Sequence, residues 1–150
     1  MSLLQHLTEQ TERLSELHAL LDQEQRLLGD GQIDGDKLQQ LAVKKQQLQT
    51  HIEASETKRR AAQVKLGFDD TAAGARAAAK QADCETVWLE LLERTQRVAQ
   101  LNTLNGELIQ HRLHHNQQML NILRDAAGGT AIYGADGTQV KTPQRINSKA

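Results

Sequence analysis

A set of leucines that recur every seven residues near the N-terminus is the feature that most constrains the fold. These residues are Leu7, Leu14, Leu21 and Leu28. A helix brings residues seven apart onto one face, whereas a strand alternates with a period of two. The spacing therefore predicts one amphipathic helix over residues 2–28, and the glycine-rich segment 29–35 predicts its end.

A second helix is predicted over residues 36–66. Its apolar stripe contains Leu38, Leu41, Leu48 and Ile52. Asp36 and Gln39 resemble a capping box at its start, and Gly67 predicts its end. The first helix has a net negative charge and the second a net positive charge. Antiparallel pairing of the two helices would bring opposite charges together, and this favours that arrangement.

A long third helix is predicted over residues 84–127, although it contains the dipeptide Asn105-Gly106, which is typical of hairpin turns. Apolar residues on both sides of the dipeptide recur at helical spacing and fall in two adjoining sectors. One sector contains Leu101, Leu104, Leu108, Met119 and Ile122, and the other contains Val87, Leu91, Val98, Ile109, Leu113, Leu120 and Leu123. A turn would break this face, so we place the dipeptide inside the helix. Glycine there costs about 1 kcal/mol relative to alanine, and close approach of a neighbouring helix to Gly106 is expected to offset it.

Three polar residues, Asn105, Arg112 and Asn116, project near the middle of this apolar face. Two interpretations are open. In the first, they are buried or rim groups bonded across the bundle; in the second, they form a polar strip that stays open for a partner helix.

The sequence thus predicts an all-α fold, an elongated antiparallel bundle of three long helices. The alanine-rich segment 71–82 is compatible with a short fourth helix that contributes little burial. Residues 1–127 form the predicted bundle domain, and residues 128–150, which contain the only proline, form a predicted flexible C-terminal tail.

Composition excludes several classes of function. The formal net charge of -1 provides no basic field for nucleic acid. Apolar runs are too short for a membrane segment and no secretion signal is evident, so a cytoplasmic location is expected. Neither a phosphate-binding glycine loop nor a localised catalytic triad is evident, so we expect no enzyme and no cofactor. The single cysteine, Cys84, is expected to be a small, partly buried apolar residue.

Two motifs could suggest metal or phosphate chemistry. His111, His114 and His115 have the helical spacing of metal ligands, but no acidic or thiol residue lies at helical spacing immediately around them. Asp30 to Gly35 resembles half of a calcium loop, but Leu41 occupies the position where a bidentate acid is required. A solvated face and a loop between helices are the preferred interpretations, and a metal or phosphotransfer module stays as an alternative.

The segment LNTLNGELIQHRLHHNQQMLNILRDAAGGTAIYGADG, residues 101–137, resembles the signature of the FlgN-type flagellar export chaperones. The similar features are an N-x-x-N-G-x-L-I core, a break of small residues and a Y-G-x-x-G tail. They are formed here by Asn102, Asn105, Gly106, Leu108, Ile109, Tyr133, Gly134 and Gly137. GDKLQQLAVKKQQL, residues 35–48, also resembles the second helix of that family, so the resemblance covers most of the chain.

The resemblance implies a cytoplasmic chaperone that binds hook-associated proteins, which form the hook-filament junction. Such a chaperone prevents their premature assembly and delivers them to the cytoplasmic domain of the type III export gate. The expected partner-binding residues are Asn102, Asn105, Gly106, Leu108, Ile109, Arg112, Asn116, Ile132, Tyr133 and Gly134. A coiled-coil scaffold or oligomerisation protein without a secretion client is the alternative, and the sequence fits both a monomer and an oligomer.

Overall fold

The computed structural model describes residues 1–128, 132–133 and 139–140. Four helices are present there: α1 (Leu3–Gly29), α2 (Gly35–Lys65), α3 (Ala72–Gln81) and α4 (Glu85–Ala126). Two short strands, β1 (Ile132–Tyr133) and β2 (Gln139–Val140), pair antiparallel, with Ile132 opposite Val140. The prediction of a helical bundle is confirmed, including the short fourth helix over residues 71–82.

The chain divides into two compact units within α4, Met1–Gly106 and Glu107–Ala150. The predicted domain boundary between residues 127 and 128 stays a prediction. Most of the predicted flexible tail, 128–150, lies outside the described residues.

The caps of α1 and α2 show where local polar groups start the helices. Ser2 and Gln5 form a capping box at the start of α1. The N-cap of α2 is Asp34, whose carboxylate accepts the backbone N–H of Lys37 at 3.1 Å. The predicted capping box at Asp36 and Gln39 was therefore wrong. Asp34 has the extended backbone of an N-cap, whereas Asp36 lies in the first turn, where its charge complements the helix dipole.

Two tight turns end α2 and α3. After α2, Gly67 has a φ of +92° and Phe68 N–H donates to Gln63 O at 3.2 Å, as in a Schellman motif. After α3, Asp83 takes the same left-handed conformation with a φ of 57°, and Cys84 N–H donates to Ala79 O at 2.8 Å. The predicted stop at Gly67 is confirmed, while the second turn is built on a residue that adopts this conformation less readily.

Polar contacts within unit Met1–Gly106 define the helix directions. Gln10 bonds Glu56 and Lys45 bonds Glu24, so α1 and α2 are antiparallel. Arg94 on α4 donates to Ser15 and Asn105 donates to Leu21 O, so α4 is parallel to α1. The apolar core of this unit contains Leu3, Leu7, Leu14, Leu17, Leu21, Leu48, Ala75, Ala78, Ala79, Cys84, Trp88, Leu91 and Val98.

Helix α3 packs more deeply than its composition suggested. Ala75, Ala78 and Ala79 are buried in the core, so the expectation of little burial from residues 71–82 was wrong. Small side chains allow close approach of the backbone, and this approach buries them completely. A Cβ added at Gly74 would lie 2.0 Å from the carbonyl oxygen of Asp69, so only glycine fits there.

Gly106, unlike Gly74, has open space around it. It lies inside α4, as predicted, and no turn forms at the Asn105-Gly106 dipeptide. However, a Cβ added at Gly106 would meet no atom within 4 Å in the described part of the chain. The expected close approach of a neighbouring helix was therefore wrong for Gly106; the close contact is made by the side chain of Asn105.

Candidate partner-binding surface

Asn105 ties α4 to α1 through a fully buried side chain. Its exposed fraction is 0%, and its Nδ2 donates to Leu21 O at 2.8 Å and to Glu24 Oε1 at 2.9 Å. Both donor hydrogens of the amide are thereby used. Its Oδ1 has no hydrogen-bond partner among the described residues. The first interpretation, a polar group bonded across the bundle, is confirmed for Asn105.

The carboxylate of Glu24, which accepts a hydrogen bond from Asn105, is itself buried and paired with a cation. Glu24 is 5% exposed, and both of its oxygens lie 3.4 Å from Lys45 Nζ on α2. The same ammonium donates to Asn102 Oδ1 on α4 at 3.1 Å. These four residues, Asn102, Asn105, Glu24 and Lys45, form the polar node, which links all three long helices.

The polar node occupies a position that periodicity assigns to the core. Asn105 follows Leu91 and Val98 at intervals of seven, and those two residues are buried. A polar residue at such a position fixes the register between helices because only one alignment satisfies its hydrogen bonds. Two residues of the predicted signature, Asn102 and Asn105, therefore help to position α4 within Met1–Gly106.

Sequence reasoning did not identify Glu24 or Gln10 as buried polar groups. The signal is present, because both continue the core stripe of α1 at intervals of three and four from Leu7, Leu14, Leu21 and Leu28. Polar residues in an otherwise leucine-rich stripe indicate partners on a facing helix. Their partners, Lys45 and Glu56, are both on α2.

A second buried polar cluster is centred on Arg59. Its guanidinium donates to both oxygens of Glu56, at 2.6 and 3.0 Å, and to Gln63 Oε1 at 2.8 Å. It also lies 4.9 Å from the centre of the Trp88 ring. Burial alone would raise the pKa of Glu56, but hydrogen bonds from Arg59 and Gln10 and the charge of Arg59 outweigh it and lower that pKa. The sequence did not lead us to predict this cluster either.

The part of α4 in the second unit presents apolar side chains to solvent. Ile109, Leu113, Leu120 and Leu123 recur at intervals of four, seven and three, which places them on one side of the helix. Leu113 is 57% exposed and Leu123 is 56% exposed, whereas Leu120 is half-buried. Ile122 and Met119 are also exposed. We call Ile109, Leu113, Leu120 and Leu123 the apolar strip.

The remaining predicted partner-binding residues occupy varied environments. Asn102, Gly106 and Asn116 are exposed on α4, and Leu108 and Arg112 are half-buried. Ile132 and Tyr133 form β1. The prediction for Gly134 lies outside the described residues.

The candidate reactive groups are placed as follows. His111, His114 and His115 are exposed on α4. Within the described ranges, no cluster of three or more His, Cys, Asp or Glu side chains could hold a metal ion. Cys84 is buried more completely than expected, and this burial raises the pKa of its thiol. None of the described helices combines the length and apolar content that a bilayer crossing requires.

Fold and surface together define an all-α helical-bundle protein whose last helix carries a largely exposed apolar strip. The family model described as "FlgN protein" matches residues 1–141. The chain is 33% identical to the flagella synthesis protein FlgN of Salmonella typhimurium (strain LT2) over 131 residues, which cover 87% of this chain and 85% of that protein. It therefore belongs to the FlgN family.

Two further relatives show the same extent of similarity. The flagella synthesis protein FlgN of Escherichia coli (strain K12) is 32% identical over 136 residues, covering 91% of this chain and 88% of that protein. The protein of the same name from Proteus mirabilis is 30% identical over 135 residues, covering 90% and 88%. No solved structure matches the chain. Membership of this family gives the chain a role in flagellar assembly and no enzymatic role.

Proposed function

We propose that this protein is a cytoplasmic flagellar export chaperone. It binds hook-associated proteins, prevents their premature assembly and delivers them to the cytoplasmic domain of the type III export gate. The observation that carries the proposal is the apolar strip, where large side chains such as Leu113 stay exposed on a continuous helix. Exposed apolar rows of this kind support recognition of a partner helix.

The client segment that fits the apolar strip is an amphipathic helix. The strip residues recur at helical spacing, and such rows pack against similar rows on another helix. The exposed residue Asn116 lies between Leu113 and Leu120 on the same side of α4 and can select the register of the client. Leu108, Ile109 and Arg112 extend the proposed contact towards Gly106, and Asn102 and Asn105 support it by fixing α4 within the first unit.

The C-terminal segment is proposed to contribute to client capture or gate docking. Tyr133 belongs to β1, and its neighbours Ile132 and Gly134 complete the short aromatic motif. Aromatic side chains are frequent anchors of protein interfaces. Deleting residues 128–150 should leave the melting temperature nearly unchanged but weaken capture, and Tyr133→Ala should reproduce part of the loss.

The apolar strip is tested with the double variant Leu113→Ser/Leu123→Ser. Its matched control is Leu4→Ser/Val64→Ser, since Leu4 is 46% exposed and Val64 is 52% exposed in the first unit. Calorimetry with purified hook-associated proteins should show at least about tenfold weaker binding for the strip variant, because two apolar contacts are lost. The control should bind like the parent.

Light scattering separates this proposal from the alternative. A stable homo-oligomer that binds no hook-associated protein would identify a coiled-coil scaffold instead. Equal binding by the strip variant and its control would remove the apolar strip from the mechanism.

A further inference from the structure

A groove rich in basic residues lies between the end of α1 and the start of α2, wholly within Met1–Gly106. Its volume is about 370 Å³. Arg26 on α1 and Lys37 and Lys44 on α2 line it, together with Leu27 and Leu41. We call these five residues the basic groove. None of them belongs to the surface proposed for the client.

The positive charge of the basic groove is largely uncompensated. No carboxylate lines it. The side chains of Arg26 and Lys44 make no hydrogen bond or ion pair with any residue in the described part of the chain, whereas the adjacent Lys45 is paired with Glu24. Lys37 Nζ lies 3.9 Å from Asp34 Oδ2, and both side chains are well exposed, so this pair is weak. The groove therefore attracts negative charge.

The apolar lining of the groove indicates which anionic partner fits. Leu41 is buried and Leu27 is half-buried between the cationic side chains. A free phosphate would leave the accessible part of Leu27 uncovered, and a flat lipid surface would not reach into a groove between two helices. A peptide that combines carboxylates with a large apolar side chain satisfies both parts of the lining.

We propose that the basic groove docks an acidic amphipathic segment of a partner protein. An apolar side chain of that segment fills the space over Leu27 and Leu41. Its flanking carboxylates bind Arg26 and Lys44. Because the charged groups are exposed, the interaction weakens steeply as salt rises.

The test uses the full-length protein and a fluorescein-labelled helical peptide of 12 residues, built from glutamate with leucine at helical spacing. Fluorescence anisotropy should show saturable binding to the parent. Arg26→Gln/Lys44→Gln should weaken it by about tenfold, because two charge contacts are removed. Lys58→Gln/Lys65→Gln makes the same charge change elsewhere on α2, and it should alter binding less than about twofold. NMR shifts on labelled protein should concentrate at Leu27, Lys37 and Leu41.

Further measurements with altered peptides, inorganic phosphate and vesicles identify which anionic ligand the groove prefers. A peptide with glutamine in place of glutamate, and one with serine in place of leucine, should both bind at least about tenfold more weakly. The proposal is overturned if the acidic peptide does not bind, or if both double variants weaken binding equally. It is also overturned if inorganic phosphate displaces the peptide at low millimolar concentration. Vesicles of phosphatidylglycerol that bind through Arg26 and Lys44 more tightly than the peptide would assign the groove to a membrane surface and likewise overturn it.

Discussion

The guanidinium of Arg59 stacks 4.9 Å from the centre of the Trp88 ring, and this contact joins α2 to α4. Both residues are buried, and Arg59 is also bound by Glu56 and Gln63. Arginine is suited to this position because its planar group can stack on a ring and form directed hydrogen bonds at the same time.

Arg59→Ala should lower the free energy of unfolding by about 2–4 kcal/mol, because it removes packing on Trp88 and leaves Glu56 without its cation. Urea denaturation measures this loss. Trp88 is the only tryptophan, so its fluorescence in the native state should change as well. Arg60→Ala is the control, since the Arg60–Asp70 pair is exposed and screened by solvent, so its loss should lower the free energy of unfolding far less. Equal losses for the two variants would contradict a special role for Arg59.

Because of the polar node, we expect two asparagines of α4 to differ greatly in their contribution to protein stability. Asn105→Ala should destabilise the protein by about 1–3 kcal/mol, because Glu24 and the Leu21 carbonyl lose a buried donor. Asn116→Ala, at an exposed position, should change stability by less than about 0.5 kcal/mol. Thermal melting of both variants checks the contrast, and an unaffected Asn105→Ala protein would show that the node does not secure α4.

Acid should weaken the Arg59 cluster. Because the pKa of Glu56 is lower in the folded state than in the unfolded state, the unfolded state binds more protons between the two pKa values, the upper of which is about 4.3 for glutamate. The stability that Glu56 contributes is fully present above that pH and is lost as pH falls through its folded pKa. Glu56→Gln should be less stable at pH 7 but lose less stability between about pH 5 and 3.

Glu53→Gln serves as the control for this pH dependence. Glu53 is exposed on the same helix, so the variant should follow the parent curve. Chemical denaturation at a series of pH values gives the three curves. Parallel curves for the parent and Glu56→Gln would mean that the Glu56 pKa is the same in both states.

Two helical glycines should respond in opposite directions to alanine. Gly74→Ala should destabilise the protein by about 2–4 kcal/mol, because the new Cβ would collide with the Asp69 carbonyl, which is held by Gln63. Gly106→Ala should stabilise it by about 1 kcal/mol, since space is open there and alanine favours the helix. The two melting temperatures measure the effect. A fall for both variants would show that Gly106 is constrained by a contact beyond the described residues.

The sequence by itself determined the helices and the family. Leucine spacing and glycine breaks act within a few positions along the chain, so residues 2–28, 36–66 and 84–127 could be assigned nearly to their observed ends. The periodic apolar face also decided that Asn105-Gly106 lies inside a helix, because a turn would have broken an entire row of side chains. The signature around Asn102 and Asn105 likewise lies within a few neighbouring positions, so it can be recognised from the sequence alone.

Only the tertiary structure decided what the polar residues of these helices do. Asn105 and Asn116 are chemically identical on the same helix, yet one is buried against Glu24 and the other faces solvent. The difference depends on a partner more than eighty positions away in the chain, which periodicity cannot reveal. The same reason explains α3, whose alanines are buried because other segments approach them closely. Burial of a small or polar side chain is a property of its neighbours, and those neighbours are set by packing.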